Sequence, residues 1–267
     1  MEKPRAEDGF DSGTYGRSFA DVYDLWYPAD DNTQSAVDRI SAIAGQGGRI
    51  LELGVGTGRL ALPLAERGHE VVGMDTSPEM LAHLAEKSRA AGVTPPVGVN
   101  GDVGDPTEWP DGEFDAVVAA FNLIFNLADE EAQARAFVAA RQHLKLGGSL
   151  IVEAFIPAPR DGSAGPERNL ELRSVTADGV TLIATEMDPA TGMVWGQHIE
   201  MRDAQPLRLR PWHIRVASPA EIDTWALDAD LELAERHADW AKTGYSELGT
   251  SHVSVYRPTP LSSPNRP

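Results

Sequence analysis

The segment Arg49-Ile-Leu-Glu-Leu-Gly-Val-Gly-Thr-Gly-Arg59 decides the fold of this chain of 267 residues. Residues 49–53 form a short apolar run typical of a buried strand. The glycines at 54, 56 and 58 allow the backbone to turn tightly and to approach a ligand closely. Residues 60–67 then have a helical pattern that Gly68 ends. The segment predicts a strand, a ligand-binding turn and a helix.

The same rhythm continues along the chain. Further strands are predicted at 70–75, 97–102, 115–121 and 149–155. Ser77-Pro78 opens a helix with proline at its first position, and a long helix covers 129–146 with Phe137, Val138 and Leu144 inward. Such alternation predicts an α/β fold with a parallel sheet and helices on both faces.

The flanking regions have other patterns. Phe19, Val22, Tyr23 and Trp26 share one face of a predicted helix, Arg17–Trp26, and a second helix follows Asn32-Thr33. Strands at 180–187, 193–201 and 207–216 have no helices between them, which predicts a small antiparallel unit. A capping box at Ser218 opens a last helix, and strands at 231–238 and 251–257 return to the main sheet.

Composition limits the function. The 23 Lys and Arg residues against 41 Asp and Glu give a net charge of −18, which disfavours nucleic acids and anionic membranes as partners. The absence of cysteine excludes disulfides and thiol nucleophiles. The histidines lack metal-ligand spacing, so we expect no metal and activity that survives EDTA. The apolar run 116–121 is too short to span a membrane and the N-terminus does not resemble a signal peptide, so we expect a cytoplasmic protein.

The glycine turn discriminates between two cofactors. A dinucleotide fingerprint requires glycine or alanine three positions after its second glycine. Counted from Gly54 and Gly56, that position is Arg59. A nicotinamide-dependent oxidoreductase is therefore only a remote alternative.

The order of an acidic residue followed by Gly-x-Gly-x-Gly resembles the first motif of class I S-adenosylmethionine-dependent methyltransferases. Segments 72–80, 101–103 and 121–126 stand where the next three motifs fall, and the resemblance covers roughly residues 15–257. It implies S-adenosylmethionine as cofactor and S-adenosylhomocysteine as product. It also implies a Rossmann-like seven-stranded sheet, parallel except for one strand near the edge, with an N-terminal helical lid and an antiparallel insertion before the sixth strand.

The resemblance also assigns cofactor-binding residues. In that family the glycine loop passes under the amino acid part of the cofactor, and an acidic residue after the second strand binds both ribose hydroxyls. Asp75 holds that place, although a helix cap is its alternative role. Asp102 would receive the adenine amino group or simply form a turn, and Met80 would pack beneath the ring or in the core. The full set is Glu52, Gly54, Gly56, Gly58, Asp75, Thr76, Met80, Asp102, Val103 and Phe121.

Residues 13–27 resemble the lid of small-molecule methyltransferases, and the match is closest to enzymes that N-methylate antibiotic intermediates, such as those of lincosamide biosynthesis. There, lid tyrosines and a phenylalanine after the fourth strand surround the reacting centre. The resemblance makes Tyr15, Tyr23 and either Phe121 or Phe125 candidate catalytic residues, with core packing as the alternative for Tyr23. Candidate substrate-binding residues are Asn122, Asn126, Trp195 and His198, the last two with surface positions as alternatives.

The resulting organisation has five parts. They are a tail and lid (1–47), a cofactor-binding core (48–160), an antiparallel insertion on the substrate side (161–217), a helix and the last two strands (218–258) and a disordered tail (259–267). The predicted function is methyl transfer to a small-molecule acceptor, foremost an amine nitrogen of a secondary metabolite. Transfer to oxygen or carbon, a non-catalytic cofactor-binding protein and a homo-oligomer stay open.

Overall fold

The computed structural model describes residues 9–259. Its helices are α1 (Thr14–Phe19), α2 (Tyr23–Trp26), α3 (Asp31–Ala44), α4 (Ala61–Glu66), α5 (Pro78–Ala91), α6 (Glu130–His143) and α7 (Pro219–Asp228). Its strands are β1 (Arg49–Leu53), β2 (Glu70–Asp75), β3 (Val97–Asn100), β4 (Phe114–Ala119), β5 (Leu144–Phe155), β6 (Glu167–Thr176), β7 (Gly179–Asp188), β8 (Met193–Arg202), β9 (Arg208–Arg215), β10 (Leu231–His237) and β11 (Ser251–Pro258). Residues 1–8 and most of the predicted C-terminal tail lie outside the described residues.

Seven strands form the main sheet in the order β10-β11-β5-β4-β1-β2-β3. All neighbouring pairs are parallel except those of β11, which runs antiparallel to both β5 and β10. The strands β6 to β9 form a separate antiparallel sheet. The predicted fold class is confirmed.

Each face of the main sheet has its own apolar core, because successive side chains of a strand point to opposite faces. Ile50 of β1 packs in a cluster with Ile40 of α3 and Leu64 of α4. Its neighbour Leu51 packs in the other cluster with Phe137 of α6 and residues of α7. The continuous apolar run of β1 is therefore the sequence signature of a strand covered on both sides.

The predicted lid helix, Arg17–Trp26, is wrong in one respect: the chain forms α1 and α2 with a break at residues 20–22. In a continuous helix the Ser18 carbonyl would accept the Val22 N–H, but it accepts a hydrogen bond from the Arg210 guanidinium instead. Tyr15, which was expected before the helix, lies inside α1.

Three smaller predictions are also corrected. The antiparallel unit has a fourth strand, β6, whose ten residues are all exposed and so show no burial pattern. The helix α6 ends at His143 and β5 begins directly at Leu144, ahead of the glycines that were expected to end the helix. Val138 of α6 is exposed, not inward.

Pro63 falls inside the predicted helix 60–67, where a proline in the helix interior would cost the hydrogen bond to the Arg59 carbonyl and kink the helix or delay its start. The helix α4 starts late, at Ala61, and Pro63 lies in its first turn. A proline costs little there because the first N–H groups of a helix have no intrahelical partner. No helix within residues 9–259 is long and apolar enough to cross a membrane.

Candidate active site

A cavity lies at the carboxyl ends of β1, β2 and β4, beneath the lid formed by α1 and α2, at the edge where α/β sheets bind ligands. It is lined by most of the residues predicted from the sequence. These are Tyr15, Tyr23, Glu52, Gly54, Gly56, Asp75, Thr76, Met80, Asp102, Val103, Phe121, Asn122 and Asn126. Gly58, Phe125, Trp195 and His198 do not line it.

The three glycines of the turn after β1 have different roles. Gly54 and Gly56 both have positive φ angles, +65° and +54°, which favour glycine. A Cβ on Gly56 would meet nothing closer than 4.0 Å, so its open side faces the cavity. A Cβ on Gly58 would lie 2.4 Å from Leu84 Cδ1, so this glycine allows α4 and α5 to pack closely.

Asp75 ends β2 with both carboxylate oxygens fixed. Oδ2 accepts the Gly56 N–H at 2.8 Å, and Oδ1 accepts the Ser77 N–H at 2.8 Å. Burial raises the pKa of Asp75, while these two N–H donors lower it. The cap of α5 is the Ser77 hydroxyl, which accepts from Met80 N–H. Asp75 is thus a carboxylate in a fixed orientation on the cavity wall. Each of its oxygens keeps a lone pair that could accept a hydrogen bond from one hydroxyl of a diol.

Glu52 of β1 is only 4% exposed, and its Oε2 has no hydrogen-bond partner within the described residues. Burial raises its pKa to about 8, while the charge of Arg59 and the Ala61 N–H lower it. A buried carboxylate oxygen without a hydrogen-bond partner is costly unless a ligand supplies one. Because Glu52 lines the cavity, it fits a cofactor with cationic groups, as the amino acid part of S-adenosylmethionine has.

At the other end of the cavity, Met80 and Val103 supply buried apolar surface. Asp102 is fixed between two neighbours: its N–H donates to Glu108 Oε2 at 2.7 Å, and its Oδ1 accepts the Gly104 N–H at 2.8 Å. An apolar floor beside a carboxylate suits a flat heterocycle with an amino group.

The turn after β4 places one of the two candidate phenylalanines. Phe121 and Asn122 both have left-handed backbone, with φ of +53° and +63°. The Phe121 ring lines the cavity, and the Arg59 guanidinium lies 3.3 Å from the ring centroid. Phe125 is fully buried and packs edge-on against Phe155. Of the two phenylalanines that the sequence left open, Phe121 lies at the cavity and Phe125 does not.

The lid tyrosines lie close together over the cavity. The ring centroids of Tyr15 and Tyr23 are 6.5 Å apart, and Tyr15 also stacks on Phe19 at 4.6 Å. Burial raises the pKa of Tyr15 well above 10 and that of Tyr23 in the same direction. Both phenols therefore stay protonated at neutral pH and are unsuited to act as bases.

Two polar contacts hold the second half of the lid against the rest of the fold. Asp24 of α2 accepts hydrogen bonds from the Thr57 hydroxyl at 2.6 Å and from Lys87 Nζ at 3.1 Å. Asp21 binds the buried Arg210 of β9 at 2.6 Å. We call these the α2 contact and the Arg210 contact.

The lid also rests directly on α5. A Cβ on Gly16 of α1 would lie 2.3 Å from Ser77 Cβ, so only glycine allows this approach. Gly16 lines the cavity together with Tyr15 and Tyr23.

The sheet β6–β9 contributes to the cavity through Ile214, not through the two residues predicted from it. Trp195 and His198 are three positions apart on β8 and so point to opposite faces. His198 is buried against Phe19 and Trp26 of the lid, and its Nδ1 accepts from the Trp212 indole at 3.1 Å. Trp195 lines a separate surface groove.

Sequence reasoning missed the polar residues that build this site from a distance. Arg59, Glu153, Asp24 and Arg210 have partners far away in sequence, so no local pattern reveals them. Within residues 9–259, no group of three or more histidine and acidic side chains is placed to hold a metal ion.

The sheet order, the glycine turn, the carboxylates at the ends of β1 and β2 and the lid over one cavity define the class I methyltransferase fold. Residues 50–148 match the family described as a methyltransferase domain, Methyltransf_25. The CcbJ methyltransferase from Streptomyces caelestis has a similar structure, with a TM-score of 0.84 and 35% identity over 94% of this chain and 100% of that one.

Curated relatives agree with this class. Cypemycin N-terminal methyltransferase of a Streptomyces species is 30% identical over 88% of this chain and 89% of its own length. Demethylmenaquinone methyltransferase of Thermus thermophilus is 43% identical over 42% of this chain, which spans about half (49%) of that relative. The chain therefore belongs to the S-adenosylmethionine-dependent methyltransferases, and its cofactor is S-adenosylmethionine. The nicotinamide alternative is excluded.

Proposed function

We propose that this protein transfers the methyl group of S-adenosylmethionine to an amine nitrogen of a small secondary metabolite. The name of the cypemycin enzyme, whose likeness extends over most of both chains, describes transfer to an amino terminus. Transfer to oxygen or carbon is the second candidate.

The observation that carries the choice of nitrogen is the chemistry of the cavity wall near Phe121. The polar side chains that the lid helices and the segment after β4 contribute to the cavity are the Tyr15 and Tyr23 phenols, which stay protonated, and the Asn122 and Asn126 amides, which do not titrate. A hydroxyl or carbon acceptor needs a base to remove a proton before or during attack. A neutral amine already has a lone pair, and its proton can leave after transfer through water.

Arg59 favours the neutral form of such an amine. Its guanidinium packs on Phe121 and near Tyr23, and its buried Nε has no hydrogen-bond partner within the described residues. A positive charge close to a bound amine would lower the pKa of that amine. The acceptor would therefore be bound as a neutral amine, whose lone pair is free to attack the methyl group.

The cofactor supplies an activated methyl group on a sulfonium. Asp75 would hold the ribose hydroxyls, Glu52 would face the cationic amino acid part, and Asp102 with Met80 and Val103 would hold the adenine. Tyr15 and Tyr23 would orient the acceptor, and Phe121 would exclude water and contact the sulfonium through a cation–π interaction of roughly 0.5–2 kcal/mol. Orientation of two reactants can lower the barrier by about 7–11 kcal/mol.

The net charge of −18 supports acceptors that are neutral or cationic and argues against nucleic acid. It would attract a protonated amine to the protein before the amine loses its proton in the cavity.

Matched acceptors test the choice of atom. Pairs of small molecules that differ only by amine or hydroxyl would be incubated with the protein and S-adenosylmethionine labelled with carbon-13 at the methyl. The chemical shift of the new methyl group distinguishes nitrogen, oxygen and carbon products. We expect transfer to the amine member alone; transfer to the hydroxyl member would contradict the proposal, and cofactor binding without turnover on any acceptor would favour a non-catalytic protein.

A further inference from the structure

The turn at Phe121 and Asn122 has an unusual backbone. Two consecutive residues other than glycine have φ of +53° and +63°, and one of them is a bulky aromatic residue. Such conformations cost on the order of 1–3 kcal/mol each and persist only where surrounding contacts impose them. The turn therefore needs contacts that hold it.

Glu153 provides those contacts from the neighbouring strand, β5. Its carboxylate Oε2 accepts the Phe121 N–H at 2.8 Å, and its own carbonyl accepts the Asn122 N–H at 3.2 Å. One residue thus binds the backbone N–H groups of both left-handed residues. Asn122 Oδ1 accepts the N–H of Phe155, two residues further along β5, at 2.7 Å, which closes the arrangement.

A carboxylate is unexpected at this position. Val152 and Ala154, its neighbours on β5, are buried in apolar cores, and β5 lies between β4 and β11 within the sheet. Glu153 is half-buried, and this burial raises the pKa of its carboxyl, while the Phe121 N–H, Trp240, Asn32 and the charge of Arg59 lower it. A partly buried acid is tolerated where its hydrogen bonds are needed.

The direction of the Phe121 ring depends on this backbone conformation. Because a left-handed residue directs its side chain differently from a residue in a strand, the conformation at Phe121 decides where the ring points. The ring lines the cavity on one side and contacts Arg59. Loss of the left-handed turn would rotate the ring away from the reacting centre.

We propose that Glu153 is a positioning residue that holds the Phe121–Asn122 turn in its left-handed conformation and thereby sets the Phe121 ring at the acceptor side of the cavity. The inference rests on the proposed function, since it assigns the ring to the reacting centre. Glu153 does not itself line the cavity.

Two substitutions separate hydrogen bonding from charge. Glu153→Gln retains an oxygen that can accept the Phe121 N–H, so we expect kcat within threefold of the wild type. Glu153→Leu has similar size but no acceptor, so we expect kcat to fall at least tenfold while the Kd for S-adenosylmethionine changes less than threefold. Crystal structures of both variants would report φ at Phe121, and we expect a positive value in the glutamine variant only.

Ser254→Ala is the matched control, because Ser254 is a fully buried polar residue of β11 whose side-chain hydrogen bonds are to Arg236 and His252. We expect it to leave kcat unchanged. The proposal is wrong if the leucine variant folds and keeps its kcat, if it keeps a positive φ at Phe121, if the glutamine variant is equally impaired, or if the serine control loses as much kcat. The φ measurement needs no acceptor, and the kcat ratios can be taken on whichever acceptor atom the wild type methylates, so failure of N-methylation would be visible separately.

Discussion

The two halves of the cavity are built in different ways. In the cofactor half, Gly54, Gly56 and Asp75 are fixed by backbone close to them in the fold, and Asp75 binds the loop through Gly56 N–H. In the acceptor half, Phe121 is fixed by Glu153 and Arg59, and the lid by Lys87 and Arg210, all distant in sequence. The contrast lies in the groups that hold each half: backbone N–H groups at the ends of β1 and β2 fix the first, while the second depends on charged side chains from other elements.

The largest effect is expected from a substitution that weakens cofactor binding. Asp75→Ala would delete the two hydrogen bonds that we propose between the ribose hydroxyls and this carboxylate, at about 1.5–3 kcal/mol each. We expect the Kd for S-adenosylmethionine to rise on the order of a hundredfold or more, measured by calorimetry.

Gly56→Val is a second variant for the same half. A branched side chain at Gly56 would project into open space that the cofactor needs, although the positive φ adds strain. Circular dichroism would show whether both variants fold. Normal affinity in a folded Asp75→Ala variant would refute the ribose assignment.

A smaller effect is expected from substitutions of the lid tyrosines, which would separate an effect on turnover from an effect on cofactor binding. Tyr15→Phe and Tyr23→Phe each remove only a phenolic hydroxyl from the cavity wall. We expect kcat to fall about tenfold for each variant, a loss typical of one hydrogen bond in a transition state, with little change in cofactor affinity. Full turnover in both variants would show that the tyrosines only pack.

A substitution in the α2 contact should have a still smaller effect, and it should act on the rate at which the cofactor dissociates. Asp24→Asn weakens the bond to Lys87, an exposed ion pair of roughly 0.2–1 kcal/mol. We expect dissociation of S-adenosylmethionine to become about two- to fivefold faster, measured by stopped flow. Glu186→Gln is the control. It breaks an exposed ion pair with Arg168 in the antiparallel sheet β6–β9 and should leave the rate unchanged.

The smallest effect concerns the pH dependence of Glu52. Its pKa of about 8 in the folded protein exceeds the ordinary value of 4.5, so between these values the folded state holds a proton that the unfolded state has lost. Stability of the cofactor-free protein should therefore decline as pH rises through this window. Glu52→Gln should melt a few degrees above the wild type at pH 8 and show a flatter profile of melting temperature against pH. Parallel profiles for the two proteins would contradict the raised pKa.

Sequence alone predicted the elements around the glycine turn well, because their signals are local. The bounds of β1 and β2, the Ser77 cap and the places of Gly56 and Asp75 all follow from short patterns. The seven-stranded, mostly parallel sheet followed from the family resemblance and the alternation of elements.

The acceptor half could not be predicted in the same way. The break between α1 and α2 depends on Arg210, almost two hundred residues away, and the choice between Phe121 and Phe125 depends on backbone that Glu153 holds. The spacing of Trp195 and His198 within one strand already put them on opposite faces, but only the structure shows that His198 packs against the lid. β6 has no buried side, so no hydrophobic pattern marked it.

The approach of Gly16 to Ser77 has a consequence for the kinetic order of the reaction. The lid lies on α5 next to Asp75 and closes the cavity from above, so a bound acceptor would lie between the lid and the cofactor. S-adenosylmethionine should then bind first and S-adenosylhomocysteine leave last. Steady-state inhibition should accordingly show S-adenosylhomocysteine competitive with S-adenosylmethionine and noncompetitive with the acceptor, and the residence time of the spent cofactor would limit how many turnovers each molecule completes.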